Sequence, residues 1–289
     1  MNIIDDLKSQ FKFGDIVTKL IFWNIAMFVI PFLVFGFLNL IGIRIDYISY
    51  FSLSSNPADL LWKPWSLLTY AFFHADFFHI FFNLIVLNFV GRLFLTYFNQ
   101  KQLVGLYVLS AMFAGIAYIT GFYFLGLNAP IIGASASVMA ILVATTTYNP
   151  FMNLRLLLIG NVKLWHITAV YLLIDLMQFR LDNTGGHISH LAGAFFGFLF
   201  IRLLQKGTDL SEIVTGVITF FANLFKKSSS TPFKKVHKNY GKPAEKRVSK
   251  IITKDKAQQQ IDEILDKISQ SGYDSLTKDE KEFLFKAGK

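Results

Sequence analysis

The sequence predicts an all-α polytopic membrane helical bundle with six transmembrane helices and a short cytoplasmic helical tail, and three observations carry that reading. Hydrophobic residues make up 53% of the chain and charged residues only 16%, where a soluble domain carries about a quarter charged. Phenylalanine alone contributes 32 residues, a bias that suits lipid-facing helices better than a compact aqueous core. Apolar runs recur along the chain up to Leu204 at about the 20-residue length needed to cross hydrocarbon. There is no cysteine, which excludes disulfides and thiolate metal sites.

The first span, Leu20 to Ile43, holds no charge; Pro31 and Gly36 are tolerated there as membrane helices allow. With Asp5, Asp6, Lys8 and Lys12 before it and no small-residue cleavage site after it, this run is read as an insertion signal that is kept. Arg44 to Trp65 is an aromatic, mixed segment expected to lie in the outer interface. The second span runs from about Leu67 to Leu95 and is interrupted by His74, Asp76 and His79. The third covers Leu103 to Leu125, with Gly105, Gly115 and Gly121 allowing close neighbours. Pro130 is expected to open the fourth, which ends near Tyr148 ahead of Asn149-Pro150. The fifth, Leu164 to Leu181, is short and carries His166 and Asp175; Gly185-Gly186 separates it from the last, Ile188 to Leu204. Lys8, Lys12, Lys19, Arg92, Lys101, Arg155 and Lys163 fall on the side of the termini, and only Arg44, Lys63 and Arg180 on the other. That asymmetry places both termini in the cytoplasm.

Beyond Arg202, Leu210, Ile213, Val214, Val217, Ile218, Phe221, Leu224 and Phe225 repeat at helical spacing over too short a run to span. They read as an amphipathic helix lying flat on the inner leaflet. The lysine-rich run that follows carries most of the net charge of +9. Each juxtamembrane lysine is drawn to anionic lipid by about 1 kcal/mol, so apposition to headgroups explains the run. Nucleic-acid binding is rejected, because no recognition fold or stacking surface accompanies it. Ile261, Ile264, Leu265 and Ile268 then form a stripe closed by Ser271-Gly272, and Thr277 with Glu280 forms a capping box before Phe283 and Leu284. The organisation is thus an N-terminal cytoplasmic segment (1–19), a six-span unit (20–204), an interfacial helix (205–227), a basic linker (228–256) and a cytoplasmic helical hairpin (257–289).

Polar side chains inside spans are costly and mark function or internal pairing. His79 and Asn83 are four apart and share a helix face. Ser135 follows Gly133-Ala134, and His190 precedes Gly193 and Gly197. Spans two, four and six run in the same direction, and Ser135 and His190 both fall in the first turns expected for their helices. They therefore lie at one depth, as a nucleophile and its base require. Gly133 permits close backbone approach to the serine; Gly193 and Gly197 let the sixth helix approach a neighbour, so that serine oxygen and histidine nitrogen can meet at about 3 Å. Ser137 lies about 200° round the helix from Ser135, so only one of the two can face His190. His187 would suit a metal pair with His190, but no His-Glu-x-x-His pattern accompanies it, and no metal or other cofactor is expected. Asp175 either orients His190 or pairs within the bundle, and the structural pair is the preferred reading.

Taken in order, these residues resemble the rhomboid family of intramembrane serine proteases, of the bacterial type. His74 and His79-x-x-x-Asn83 look like its second-span motif, Gly133-Ala134-Ser135 its nucleophile motif, and His190-x-x-Gly193-x-x-x-Gly197 its sixth-span motif. The similarity covers roughly Leu20 to Leu204 and departs from the family at Ala136, where a glycine is usual, and at Trp65-Ser66, where the family has Trp-Arg. The resemblance implies a serine endopeptidase of the bacterial plasma membrane, acting on transmembrane protein substrates through Ser135 as nucleophile and His190 as base and then acid. It also implies that His79, Asn83 and the Ser135 N–H stabilise the oxyanion, with His74, Gly133, Gly193 and Gly197 in support. Two other classes stand beside it: a catalytically silent relative that binds client transmembrane helices, and a metal or solute carrier using His74, His79 and His187.

Overall fold

The computed structural model describes residues 2–156, 160–179, 183–224 and 248–287. It is mainly helical: α1 (Ile3–Phe13), α2 (Ile16–Leu40), α3 (Tyr47–Phe51), α4 (Asp59–Trp62), α5 (Ser66–Thr69), α6 (Phe77–Leu95), α7 (Gln100–Leu125), α8 (Ser135–Tyr148), α9 (Leu164–Gln178), α10 (Thr184–Gln205), α11 (Ser211–Leu224), α12 (Val248–Ser271) and α13 (Lys278–Ala287). Four of these, α2, α6, α7 and α10, are long and apolar enough to cross a membrane. At the fourth and fifth expected spans stand the shorter apolar helices α8 and α9, of 14 and 15 residues.

The most enclosed helix is α8. Its residues Ala136 to Leu142 are buried on every side, as a helix with no polar face must be. Gly193 and Gly197 of α10 approach it so closely that an added Cβ would stand 2.2 Å from the Ala136 carbonyl oxygen and 2.1 Å from that of Ala140. Both contacts advance by four residues on each helix, so α8 and α10 run parallel here. By contrast, α7 runs antiparallel to α10: Gly121 meets Ile188 near one end and Phe113 stacks near Phe196 at the other. The N-terminal side joins through Val17, packed on Gly91 of α6, and through Asp15, paired with Arg92 at 3.3 Å. Helix α11 packs Ser211 onto Gly105 of α7 and leaves Ile213, Val217, Phe220, Phe221 and Leu224 exposed.

Several boundaries differ from the sequence reading, each for a physical reason. The fourth helix starts at Ser135 and not at Pro130. Ile131 is held extended by a two-way backbone bridge to Leu53, and Gly133 adopts φ +131°, a conformation an L side chain rarely takes. The second span is broken: after α5 the chain turns, and Asp76 caps a fresh helix at Phe77, which leaves His74 in the connection before that helix. The last helix begins at Thr184, so Gly185-Gly186 lie inside its first turn and His190 in its second. Asn183, at φ 48°, caps it by accepting from Gly186 N. The segment 151–163, without assigned structure in the sequence reading, contains an antiparallel pair, β1 (Asn153–Leu156) with β2 (Gly160–Lys163). Arg180 and the basic run 225–247 lie outside the described residues; the rest of that run, from Val248, is helical and opens α12.

The described residues of the C-terminal unit form a small hairpin of α12 and α13 in which Ile264 and Leu276 are buried. Thr277 and Glu280 form the reciprocal cap of α13, with Thr277 N donating to Glu280 Oε2 at 2.8 Å. Lys267 Nζ also donates to Glu280, at 2.9 Å. The Lys267 contact first, and then the Thr277 N–H, hold the Glu280 carboxyl down at about 2. Since the folded value is depressed, this contribution is complete above the ordinary glutamate range and is lost as the pH falls from there toward about 2. Hydrogen exchange at the Thr277 N–H of the full chain is expected to lose protection across that window. In a Glu280→Gln variant the acid dependence should vanish; an unchanged profile would show that the cap does not depend on the carboxylate.

Candidate active site

The loop that delivers Ser135 is held from two sides. Ile131 and Leu53 exchange backbone hydrogen bonds of 2.9 Å, and Gly133 N donates to Tyr70 O at 2.8 Å. Tyr70 is itself buried, with its hydroxyl on Ala111 O. The chain then turns at Gly133 and enters α8 with Ser135 as the first helical residue. The empty side of Gly133 is filled by the His79 ring, whose Nε2 would be 2.6 Å from a Cβ placed there. This seats His79 of α6 beside the serine.

His190 arrives from α10, one turn before the close contact of Gly193 with the Ala136 carbonyl. Its Nε2 is 2.6 Å from Ser135 Oγ. Its other ring nitrogen, Nδ1, is 2.6 Å from Asp175 Oδ1 of α9, and His187 Nδ1 reaches the same oxygen at 2.7 Å. Ser137 points away and donates to Tyr107 O at 2.8 Å in the buried interior. The departure at Ala136 falls where α8 and α10 are closest, yet Gly193 meets its carbonyl oxygen, and the Ala136 methyl is buried without displacing the serine–histidine contact.

Asp76 Oδ1 caps α6 by accepting from His79 N at 2.9 Å, and Asn83 Nδ2 donates to His79 O at 2.9 Å. An amide carries two N–H donors, so Asn83 keeps one for another acceptor. His74 is buried and packs its ring edge-on against His79 at 5.0 Å between centroids. Ser135, His190, His79, Asn83, Asp175 and His187 all line one cavity of about 840 Å³, which Phe82, Val86, Tyr171 and Ile174 make apolar on its other walls. His166 takes no part: it is exposed on α9 and stacks near Trp165. The ligand set of a carrier is not assembled either, since His187 sits with Asp175 and His190 while His74 and His79 are paired elsewhere.

A rhomboid domain model matches residues 61–207, a stretch that contains every one of these side chains. The chain belongs to the rhomboid family. It is similar to the presenilin-associated rhomboid-like protein, mitochondrial, of Homo sapiens and of Pongo abelii, at 26% identity over 178 residues in each case. The match takes in 58% of this chain and 45% of the relatives, so the chain spans less than half of their length. A second model, for a family of unknown function (DUF6576), matches residues 252–286, the hairpin that follows the rhomboid domain.

The structure brings Asp175 and His187 together with His190, a grouping that the sequence alone left open. The available signals were a lone carboxylate within an apolar helix and a second histidine three residues before His190, hence on one helix face. Neither says which helix the carboxylate will face.

Proposed function

We propose that this rhomboid-family chain is an intramembrane serine endopeptidase that hydrolyses peptide bonds in or near transmembrane segments of other membrane proteins. The observation that carries the reading is the 2.6 Å contact of Ser135 Oγ with His190 Nε2 at the wall of a cavity also lined by His79 and Asn83. His190 Nε2 takes the hydroxyl proton as Ser135 Oγ attacks the scissile carbonyl carbon. The negative charge that develops on the carbonyl oxygen meets the Ser135 N–H, which is free at a helix start, and donors from His79 and Asn83. Collapse breaks the C–N bond, and the proton on His190 passes to the leaving amine. His190 Nε2 then takes a proton from a water molecule as its oxygen attacks the acyl carbon, and returns that proton to Ser135 Oγ as the acyl C–O bond breaks and the carboxylic acid leaves.

In this reading α2, α6, α7, α8, α9 and α10 are six spans. Helix α8 is about 21 Å long at 1.5 Å per residue, short of the roughly 30 Å of hydrocarbon. The extended stretch before Ser135 makes up the difference, which a membrane tolerates where backbone is buried in protein. The serine is thereby recessed below the outer surface, where a substrate helix must unwind to present its peptide bond. Both termini lie in the cytoplasm of a bacterial cell, with α11 and the basic run against the anionic inner leaflet of the plasma membrane.

An activated fluorophosphonate applied to the full-length protein in detergent, followed by peptide mass mapping, tests the assignment. An adduct on Ser135 is expected; an adduct on Ser137 instead would overturn it. The alanine at position 136 favours a second reading, in which the cavity holds a client helix without cleaving it. That reading predicts client capture with no adduct at all.

A further inference from the structure

Asp175 is a buried carboxylate within an apolar helix, a placement that is costly unless donors meet it. Two donors meet it at a single atom. Oδ1 lies 2.6 Å from His190 Nδ1 and 2.7 Å from His187 Nδ1. A carboxylate offers only acceptors, so each imidazole presents its proton at Nδ1. For His190 this leaves the lone pair on Nε2, the atom that faces Ser135 Oγ at 2.6 Å. The opposite tautomer would aim an N–H at the serine and could not take its proton.

We propose that Asp175 is a positioning residue that completes a Ser135–His190–Asp175 triad, with His187 as the second donor that holds the carboxylate in place. The proposal rests on the hydrolase reading and goes beyond the two-residue mechanism implied by the family resemblance. When the Ser135 proton passes to Nε2, His190 becomes an imidazolium with an N–H at both nitrogens. Asp175 stabilises that cation, and the proton stays on the ring. His187 matters because it stands one turn from His190 on the same face, so the two rings restrict the carboxylate's rotation together. The titratable groups facing His190 are Asp175 from α9, His187 from its own helix and His79 from α6, beside the Ser135 hydroxyl of α8. The three clustered residues are not arranged as a metal site. Donors about 2.0–2.1 Å from a tetrahedral zinc stand about 3.3 Å apart, whereas separations of 2.6 and 2.7 Å are those of charge-assisted hydrogen bonds.

The test uses the full-length protein in detergent, with thermal unfolding to establish folding. Fluorophosphonate labelling of Ser135 and cleavage of a transmembrane reporter are each followed across pH. Asp175→Asn is expected to slow both by roughly 10³- to 10⁴-fold. Its acidic limb should also move, because the carboxylate that faces the imidazolium is gone. His187→Phe, which removes the second donor, is expected to cost about tenfold, the worth of one charge-assisted hydrogen bond. A folded Asp175→Asn protein with wild-type rates and an unmoved limb would make Asp175 a structural pair only. Should that variant not fold, an unchanged rate and limb in His187→Phe would overturn the proposal. A wild type that loses activity to a chelator and regains it with zinc would also overturn it. If the wild type neither labels nor cleaves, the hydrolase reading fails and the triad falls with it; an active wild type with an unaffected Asp175→Asn defeats the triad alone.

Discussion

Ser135→Ala is expected to abolish cleavage of a transmembrane reporter and all fluorophosphonate labelling, while capture of the uncleaved substrate persists. Loss of the nucleophile from a serine hydrolase costs about 10⁶-fold in kcat, which puts the variant below detection in a membrane assay. Binding should survive because the cavity walls, Phe82, Val86, Tyr171 and Ile174 among them, are untouched. Ser137 cannot substitute: it is buried and its hydroxyl is committed to Tyr107 O. Co-purification of a reporter with the variant, alongside gel analysis of its cleavage, measures both quantities. A variant that still cuts at the wild-type rate would remove Ser135 from the mechanism. A wild type that captures but never cuts would move the protein to the client-binding class.

The second large effect is expected at the seam between α8 and α10. Gly193→Ala puts a methyl 2.2 Å from the Ala136 carbonyl oxygen, a contact relieved only by moving one helix. Backbone on both sides leaves no flexible side-chain end to give way, and overpacking of this kind costs about 1–3 kcal/mol. On the proposed hydrolase function, the loss of cleavage rate is expected to exceed what the stability loss suggests. His190 rides on α10 one turn from Gly193, and a 1 Å misplacement of a catalytic group can cost about 10²-fold. Gly197→Ala, at 2.1 Å from the Ala140 carbonyl oxygen, should lower stability similarly. Gly216→Ala is the control: a Cβ there meets nothing within 4 Å, and a helix gains about 0.5–1 kcal/mol from that exchange. Thermal unfolding in detergent and the reporter rate, measured on all three, check this. An unaltered melting point and rate in Gly193→Ala would show that the seam opens freely.

Much of this protein is legible in its sequence because the signals are local. Runs of apolar residues reveal the membrane class, since every buried backbone group must be satisfied within its own helix. Charge between the runs suggests an orientation, and the spacings His79 to Asn83 and His190 to Gly193 and Gly197 place side chains on common helix faces. Local spacing of this kind, joined to the order of the spans and the family resemblance, nominates Ser135 and His190.

Helix beginnings were less legible, because they depend on partners distant in the chain. Pro130 is locally a good helix opener, yet the bridge from Ile131 to Leu53 and the turn at Gly133 delay α8 until Ser135. Asn183 likewise draws Gly185 and Gly186 into a helix that their composition argues against. Which of its two readings Asp175 would fit was open for the same kind of reason. Its surroundings are set by the rotation of α9 about its own axis and by its contact with α10, and neither is written in the hydropathy of Leu164–Gln178. By itself the sequence determined a rhomboid-family membrane bundle and which serine and histidine to examine. Only the tertiary structure decided that His190 reaches Ser135 with one nitrogen and Asp175 with the other, because three helices must pack before three side chains can share those atoms.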